Sequence, residues 1–106
     1  MPYEIEVDEL KRALDAGEDW VLVDVREGWE HALVHIPGAV HIPLGQLVQR
    51  LGELQQERPH VLYCHHGMRS MRAALALAQR GFANVRSLRG GIDRWAEVVD
   101  PTLARY

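Results

Sequence analysis

The sequence predicts an α/β protein, built on a parallel β-sheet with helices on both of its faces. Short runs of β-branched and other apolar residues alternate along the chain with segments whose apolar residues recur at helical spacing. The run over residues 20–25 is apolar almost throughout, which is typical of an inner strand of a parallel sheet. No linker, repeat or low-complexity stretch interrupts the pattern, so we expect one domain over residues 1–106.

The chain is predicted to begin with a strand, a helix and a second strand. Residues 3–5 alternate in polarity like a short edge strand. In the helix that follows, acidic residues occupy the first turn, apolar residues share one face, and Gly17 ends it. Asp24 closes the apolar run of the second strand at its C-terminal end, where ligand sites of open α/β sheets collect.

Three short elements are predicted in the middle of the chain. Residues 27–34 form a short helix, in which we expect Trp29 to serve packing rather than substrate contact. Residues 40–44 form a strand that Pro43 places at an edge or at its end. The apolar residues of positions 44–51 recur at helical spacing and predict a helix.

The second half of the chain repeats the pattern around the only cysteine. Residues 61–63 predict a buried strand, and Ser70 opens a long helix that Gly81 ends. Residues 84–88 form the last strand, and a final helix follows a pair of glycines, Gly90 and Gly91, that permit close backbone approach. We assign no function to the tail of residues 100–106.

The loop of residues 64–70 places Cys64 between the end of a strand and the start of a helix. A helix start presents unpaired N–H groups and the positive end of the helix dipole, so a thiolate is stabilised there. Gly67 permits the positive φ that turns N–H groups inward, and Arg69 adds a permanent charge suited to oxyanions. The alternative is an inert Cys64 that packs as a small apolar residue, but its neighbours favour a reactive thiol.

Three ordered motifs resemble those of the rhodanese-like sulfurtransferases. Residues 64–70 are similar to the family's active-site loop, in which Cys-x-x-Gly-x-Arg/Ser/Thr follows a strand and precedes a helix. Residues 24–44, with DVRE and then HIPGAVHIPL, resemble its N-terminal motif, and residues 88–95 resemble its C-terminal motif. One departure is Val34, which stands where the family usually has Gly.

The resemblance implies a five-stranded central sheet and a double displacement of sulfur. Cys64 would attack the outer sulfur of thiosulfate or of a persulfide donor, hold it as a cysteine persulfide and pass it to cyanide or a thiol. No cofactor is required for this chemistry. The substrate-binding residues that the resemblance implies follow the cysteine directly: His65, His66, Gly67, Met68 and Arg69.

Three further residues are assigned supporting roles around this loop. The resemblance places Asp24 near the site, where a buried ion pair or hydrogen-bond anchor is its expected role. The resemblance also suggests that Arg26 pairs with Glu30, although a buried ion pair or hydrogen-bond anchor is the expected role of Arg26 too. Ser70 opens the helix that follows the loop. Arg69 is interpreted as the residue that holds the sulfonate end of thiosulfate, since its guanidinium forms charge-assisted bonds with oxyanions.

Other cysteine chemistries fit the spacing less well. Cysteine-dependent phosphatases and arsenate reductases need five residues between Cys and Arg, and only four separate Cys64 from Arg69. We predict no metal site, although His60 and the two loop histidines crowd around Cys64, because no second Cys or distant His motif completes a tetrahedral set. A Cys/His hydrolase would need an oriented base, for which no signature exists. A non-catalytic binding or sulfur-carrier module remains the alternative function.

Composition and charge limit the expected partners. The formal charge of −3 and the absence of a basic run argue against nucleic-acid binding. A single cysteine cannot form an internal disulfide, no apolar stretch has the length of a membrane span, and residues 1–6 lack signal-peptide regions. We therefore expect a cytoplasmic protein that takes a small sulfur donor and a thiol, cyanide or protein acceptor, and neither nucleic acid nor a membrane.

Overall fold

A computed structural model of the protein describes residues 3–106. Its centre is a five-stranded sheet made of β1 (Glu4–Ile5), β2 (Val21–Asp24), β3 (Val40–His41), β4 (His60–Tyr63) and β5 (Val85–Leu88). The strand order is β1-β5-β4-β2-β3, and every neighbouring pair is parallel. The predicted α/β class is confirmed. Strand β4, which the cysteine loop follows, is the central strand of the sheet.

Four α-helices surround the sheet: α1 (Val7–Asp15), α2 (Gly28–Leu33), α3 (Met68–Gln79) and α4 (Gly91–Val98). The segment of residues 44–51, for which a helix was predicted, is helical, but it forms two 3₁₀ helices, Leu44–Gln46 and Val48–Glu53, instead of one continuous helix. Arg50 interrupts the second one with φ −111° and ψ 17°. Glycines at positions 45 and 52 lower the preference for a continuous α-helix there.

The helices bury two apolar clusters, one on each face of the sheet. The first cluster joins α1 and α4 to the sheet and includes Leu10, Val61 and Trp95. The second joins α3 and the 3₁₀ region to the opposite face and includes Leu47, Leu62 and Leu77. Helices therefore cover both faces, as predicted.

Helix α3 presents small residues to the sheet. Its buried residues are Ser70, Ala73, Ala74 and Leu77, whereas Leu75 is 42% exposed. The helix is oriented so that its alanines, and not Leu75, face the sheet. Since alanine side chains are short, the start of α3 lies close to the end of β4.

The parallel register brings the predicted site residues to one edge of the sheet. Asp24 at the end of β2 pairs with Tyr63 at the end of β4, so Asp24 lies beside the residue that precedes Cys64.

Two other residues near this edge, Trp29 and Val34, bear on the expectations from the sequence. Trp29 does not pack inside, because its side chain is 64% exposed. Val34 adopts φ −162° and ψ 140°, an extended backbone that any residue can take, so glycine is not required there.

Candidate active site

Cys64 lies directly after β4, with its side chain turned back toward the start of α3. The residue is 2% exposed. Its Sγ accepts hydrogen bonds from the N–H of Gly67 at 3.0 Å and from the N–H of Ser70 at 3.4 Å. Gly67 has φ 116°, a conformation that disfavours any residue with a Cβ. Two inward N–H groups at a helix start favour a negatively charged sulfur at this position.

Ser70 ties the cysteine loop to the neighbouring strand. Its Oγ lies 3.5 Å from Cys64 Sγ, 3.2 Å from the carbonyl oxygen of Gly67 and 2.7 Å from Ser87 Oγ. Both serines are almost fully buried. Sequence reasoning missed Ser87, a polar residue between Arg86 and Leu88 in the last predicted strand. The supporting position assigned to Ser70 matches this geometry.

The start of α4 packs against the back of the loop. The carbonyl of Cys64 accepts the N–H of Ile92 at 2.9 Å, and the carbonyl of His65 accepts the N–H of Asp93 at 3.2 Å. Gly91 has φ 62°, and a Cβ there would lie 2.5 Å from the Cys64 carbonyl oxygen and would also clash with that of His65. The close approach predicted from the paired glycines is confirmed.

Arg69 is held in a two-pronged ion pair with a carboxylate of α2. Its Nη1 donates to Glu30 Oε1 at 2.7 Å, and its Nη2 donates to Glu30 Oε2 at 3.0 Å. The Glu30 side chain is 5% exposed. Hydrogen bonds from Arg69 lower the pKa of Glu30 to about 2, so this carboxylate is ionised at neutral pH. The expected pairing of Arg26 with Glu30 is therefore wrong.

Arg26 pairs instead with Asp24, and the side chains of both are fully buried. Arg26 Nε donates to Asp24 Oδ1 at 2.9 Å and Nη2 donates to Oδ2 at 2.7 Å. Burial pushes the pKa of Asp24 upward, but hydrogen bonds from Arg26 and His31 outweigh it and lower the pKa. Arg26 Nη2 also donates to the Val34 carbonyl at 2.5 Å, which fixes the end of α2. Asp24 and Arg26 thus form the buried ion pair expected for a supporting role.

Tyr106, in the tail to which no function was assigned, connects the two ion pairs. Its hydroxyl accepts from Arg26 Nη1 at 2.9 Å and donates to Glu30 Oε2 at 2.6 Å. Its ring stacks on His65 with centroids 3.9 Å apart and an interplanar angle of 6°. Hydrogen bonding to Glu30 and burial raise the pKa of Tyr106, with burial the larger cause. Tyr106 is 76 positions away from Glu30 along the chain, so no local sequence pattern predicts their contact.

The predicted substrate-binding residues surround the cysteine. A cavity of about 320 Å³ is lined by Cys64, His65, His66, Met68 and Arg69. Gly67 lines an adjoining cleft of about 700 Å³, to which His66 and Met68 also contribute. Met68 is 78% exposed. Burial and, to a smaller extent, neighbouring His66 lower the pKa of His65, which favours its neutral form.

The histidines near Cys64 do not form a convergent metal-binding set. His60 begins β4 and therefore lies at the opposite end of that strand from Cys64. Ligand atoms of His65, His66 and Asp93 lie within 4.8 Å of one another. However, the two imidazoles stack with centroids 3.9 Å apart and planes 27° from parallel, so their in-plane lone pairs do not point at one common position. Asp93 is also paired with Arg105 at 3.0 and 3.2 Å.

The fold and the loop together define a class: a parallel α/β protein whose central strand delivers a cysteine to the N–H groups of a helix start. The family model that matches the sequence is the rhodanese-like domain, over residues 6–98. The chain therefore belongs to the rhodanese-like family, as its motifs predicted. Within residues 3–106, no helix is long and apolar enough to cross a bilayer.

Relatives and solved structures agree with this assignment. A sulfurtransferase from Allochromatium vinosum is 38% identical over 104 residues, which cover 98% of this chain and 97% of that protein. The probable adenylyltransferase/sulfurtransferase MoeZ of Mycobacterium tuberculosis is 40% identical over 100 residues, but the match spans only 26% of its length and 92% of this chain. The crystal structure of a rhodanese-related protein from Thermoplasma volcanium superposes with a TM-score of 0.83 at 28% identity, over 97% of this chain and 98% of that one. The sulfurtransferase relatives support a transferase role.

Proposed function

We propose that this chain is a sulfurtransferase that carries a sulfane sulfur on Cys64, taken from thiosulfate or a persulfide and given to cyanide or a thiol. The observation that carries the proposal is the pair of backbone N–H groups, from Gly67 and Ser70, that point at Cys64 Sγ. These N–H groups stabilise the Cys64 thiolate that attacks the donor, and they remain donors to Sγ when Sγ becomes the inner sulfur of the persulfide. The names of the relatives, which are sulfurtransferases, favour the same reaction class.

In the first step, the Cys64 thiolate attacks the outer sulfur of the donor. A bond forms between Sγ and that sulfur, the donor's own bond to it breaks, and sulfite or a thiolate leaves with the electron pair. The cavity of about 320 Å³ beside Cys64 gives room for a small donor. Loop N–H groups then stabilise the anionic persulfide without rearranging, because Ser70 and the start of α4 already fix the loop.

In the second step, the acceptor attacks the outer sulfur of the persulfide and restores the Cys64 thiolate. No cofactor takes part, since both steps are nucleophilic displacements at sulfur. The buried pair of Asp24 and Arg26 keeps the end of β2 and the end of α2 in place near the loop. We further propose a cytoplasmic location, where reducing conditions keep an unpaired thiol available.

Intact mass spectrometry tests the proposal. Incubation with thiosulfate, or with an organic persulfide, is expected to add one sulfur atom to the chain, and cyanide is expected to remove it with formation of thiocyanate. The matched control is Cys64→Ser, which keeps a small polar side chain at the same position but cannot form a persulfide. Retention of thiocyanate production by this variant would refute the assignment of Cys64.

Turnover separates an enzyme from a sulfur carrier. An enzyme produces many equivalents of thiocyanate per chain from a donor and cyanide. A carrier that is loaded by another protein shows at most one equivalent per chain with small donors alone. This measurement decides between the proposed transferase and the alternative of a carrier or binding module.

A further inference from the structure

The ion pair of Glu30 and Arg69 has a consequence for donor recognition. Arg69 is the cation of the cysteine loop and the group expected to hold a sulfonate. Its charge is already neutralised, because Glu30 contacts it through both carboxylate oxygens at 2.7 and 3.0 Å. Glu30 stays ionised at neutral pH, with a pKa of about 2. A dianion that approaches Arg69 therefore meets a neutral pair rather than a free guanidinium.

Glu30 is also fixed in this position by groups other than Arg69. Tyr106 donates to Oε2 at 2.6 Å, and the N–H of Glu27 donates to Oε1 at 3.0 Å. Only 5% of the Glu30 side chain is exposed. Arg69 retains N–H groups that Glu30 does not use, but a sulfonate bound to them would lie near a buried, immobile carboxylate. Charge repulsion, rather than a shortage of donors, opposes its binding.

The other arginines near the loop are paired with carboxylates, including Arg89 and Arg94 of the adjoining cleft, which pair with Glu6 and Glu97. Arg105 is paired with Asp93, and Arg26 is paired with Asp24. His65 has a lowered pKa, caused first by burial, and its ring is stacked on that of Tyr106. Apolar groups complete the surroundings: Met68 is 78% exposed beside the cavity, and Trp29, 64% exposed, contacts the edge of Tyr106 with centroids 5.8 Å apart.

Building on the proposed sulfur transfer, we propose that Glu30 is a specificity-determining residue that disfavours thiosulfate and directs the site toward organic persulfides. Thiosulfate carries two negative charges, and its sulfonate must be held away from the cysteine while the outer sulfur reacts. An organic persulfide that reacts in its protonated form, R–S–SH, carries no sulfonate and no charge on the sulfur that is transferred, so the Glu30 carboxylate does not repel it. The organic part of the donor then contacts the exposed apolar side chain of Met68, which lines the cavity.

The transfer from such a donor balances without an added oxidant or reductant. The donor reacts in its protonated form, R–S–SH. The Cys64 thiolate attacks the outer sulfur of this form. The bond between Sγ and this sulfur forms, the bond between the two donor sulfurs breaks, and the thiolate R–S⁻ leaves with the electron pair. The proton remains on the transferred sulfur or passes to water.

The test compares two donors in purified variants of the full chain. The donors are thiosulfate and the persulfide of N-acetylcysteine methyl ester, whose organic part is uncharged. The measured quantity is the ratio of kcat/KM for thiosulfate to kcat/KM for the persulfide, with cyanide as acceptor. This ratio cancels changes in Cys64 reactivity or in the amount of folded protein, because both donors use the same thiol.

Glu30→Gln is expected to raise the ratio about tenfold or more, the effect of freeing a guanidinium for a charge-assisted hydrogen bond. The double variant Glu30→Gln with Arg69→Gln is expected to lose the gain. Glu53→Gln is the matched control, because Glu53 forms a two-pronged pair with Arg50 at 2.7 and 2.9 Å on the exposed 3₁₀ region. It should leave the ratio unchanged.

A second variant keeps the proposal falsifiable if Glu30→Gln fails to fold. Tyr106→Phe retains the ring that stacks on His65 but removes the hydroxyl that holds Glu30 in place. It is expected to raise the ratio about two- to threefold, as for the loss of one modest hydrogen bond. The inference would be overturned if the ratio of kcat/KM values is unchanged in every folded variant among Glu30→Gln and Tyr106→Phe. It would also be overturned if the rise in this ratio persists in the double variant that includes Arg69→Gln. Absence of sulfur transfer from either donor in the wild type would instead overturn the proposed function.

Discussion

Gly91→Ala is the substitution for which the structure predicts the largest local effect. An added Cβ would lie 2.5 Å from the Cys64 carbonyl oxygen, a distance that real Cβ atoms do not show, and it would also clash with the His65 carbonyl oxygen. Both of these oxygens belong to the backbone. Helix α4 and the cysteine loop must therefore separate by about 0.9 Å, if an ordinary contact distance of about 3.4 Å is to be restored. The separation weakens the hydrogen bonds from Ile92 and Asp93 to the loop carbonyls.

The expected cost combines two terms. The left-handed conformation of Gly91, at φ 62°, costs an alanine about 1–2 kcal/mol. Weakening two backbone hydrogen bonds costs about 0.5–1.5 kcal/mol each. We expect a loss of about 3 kcal/mol in the free energy of unfolding, which corresponds to a Tm lower by about 10–20 °C for a domain of this size.

Thermal and urea unfolding, followed by far-UV circular dichroism, measure this loss. Gly45→Ala is the control, since Gly45 has no atom within 4 Å of its ideal Cβ and lacks a positive φ. It should change Tm by no more than about 2–3 °C, as for a surface substitution. A Gly91→Ala protein whose Tm matches that of the control would show that the loop moves freely away from α4, and the argument from close packing would be refuted. Sulfur transfer at a temperature where the variant is folded should also fall, because the Cys64 carbonyl is one of the displaced groups.

Three further predictions concern the groups around the loop. Ser87→Ala leaves Ser70 without its 2.7 Å partner and should lower the free energy of unfolding by about 1 kcal/mol, as measured by urea unfolding. Thr102→Ala, which removes an exposed hydroxyl, is the control and should lower it by less. The folded pKa of Glu30 lies below its ordinary value of 4.5, so its stabilising effect is full above that value and is lost as pH falls toward 2. Denaturant unfolding between about pH 5 and pH 2 should show a loss of about 2–3 kcal/mol that Glu30→Gln lacks; equal pH dependence in both proteins would contradict the ionised pair. Tyr106→Ala should increase the exposure of His65 to chemical modification by diethyl pyrocarbonate, because it removes the stacked ring; an unchanged rate at His65 would show that the ring does not shield it.

Much of the sheet was predictable because its signals are local. The alternation of apolar strands with amphipathic helices indicated a parallel sheet, and the carboxyl ends of parallel strands meet at one edge. This reasoning placed Asp24 beside the cysteine loop, and the register of β2 with β4 confirms it. The paired glycines before α4 were also interpretable, because only close backbone approach or a positive φ requires two of them.

The ion pairs were harder to predict because a sequence does not give the orientation of short helices. The family resemblance suggested that Arg26 pairs with Glu30, but Arg26 points into the interior toward Asp24. Glu30 instead contacts Arg69, which is 39 positions away. The same reasoning explains the failure at Tyr106: its contacts depend on the path of the tail after α4, which no periodicity encodes. The 3₁₀ helices of residues 44–53 were not predicted for another reason: apolar spacing does not distinguish an α-helix from a tighter and interrupted helix.

The deep position of Cys64 determines which sulfur of a persulfide an acceptor can reach. Cys64 is 2% exposed as a residue, and its Sγ accepts hydrogen bonds from the N–H groups of Gly67 and Ser70. A second sulfur, about 2 Å farther out, would extend toward the cavity that the loop side chains line. Attack at Sγ would expel the outer sulfur as sulfide and leave a mixed disulfide on the protein, whereas attack at the outer sulfur completes the transfer. For a persulfide on this loop, steric access therefore selects the productive route, and a thiol acceptor should yield its own persulfide rather than a disulfide with Cys64.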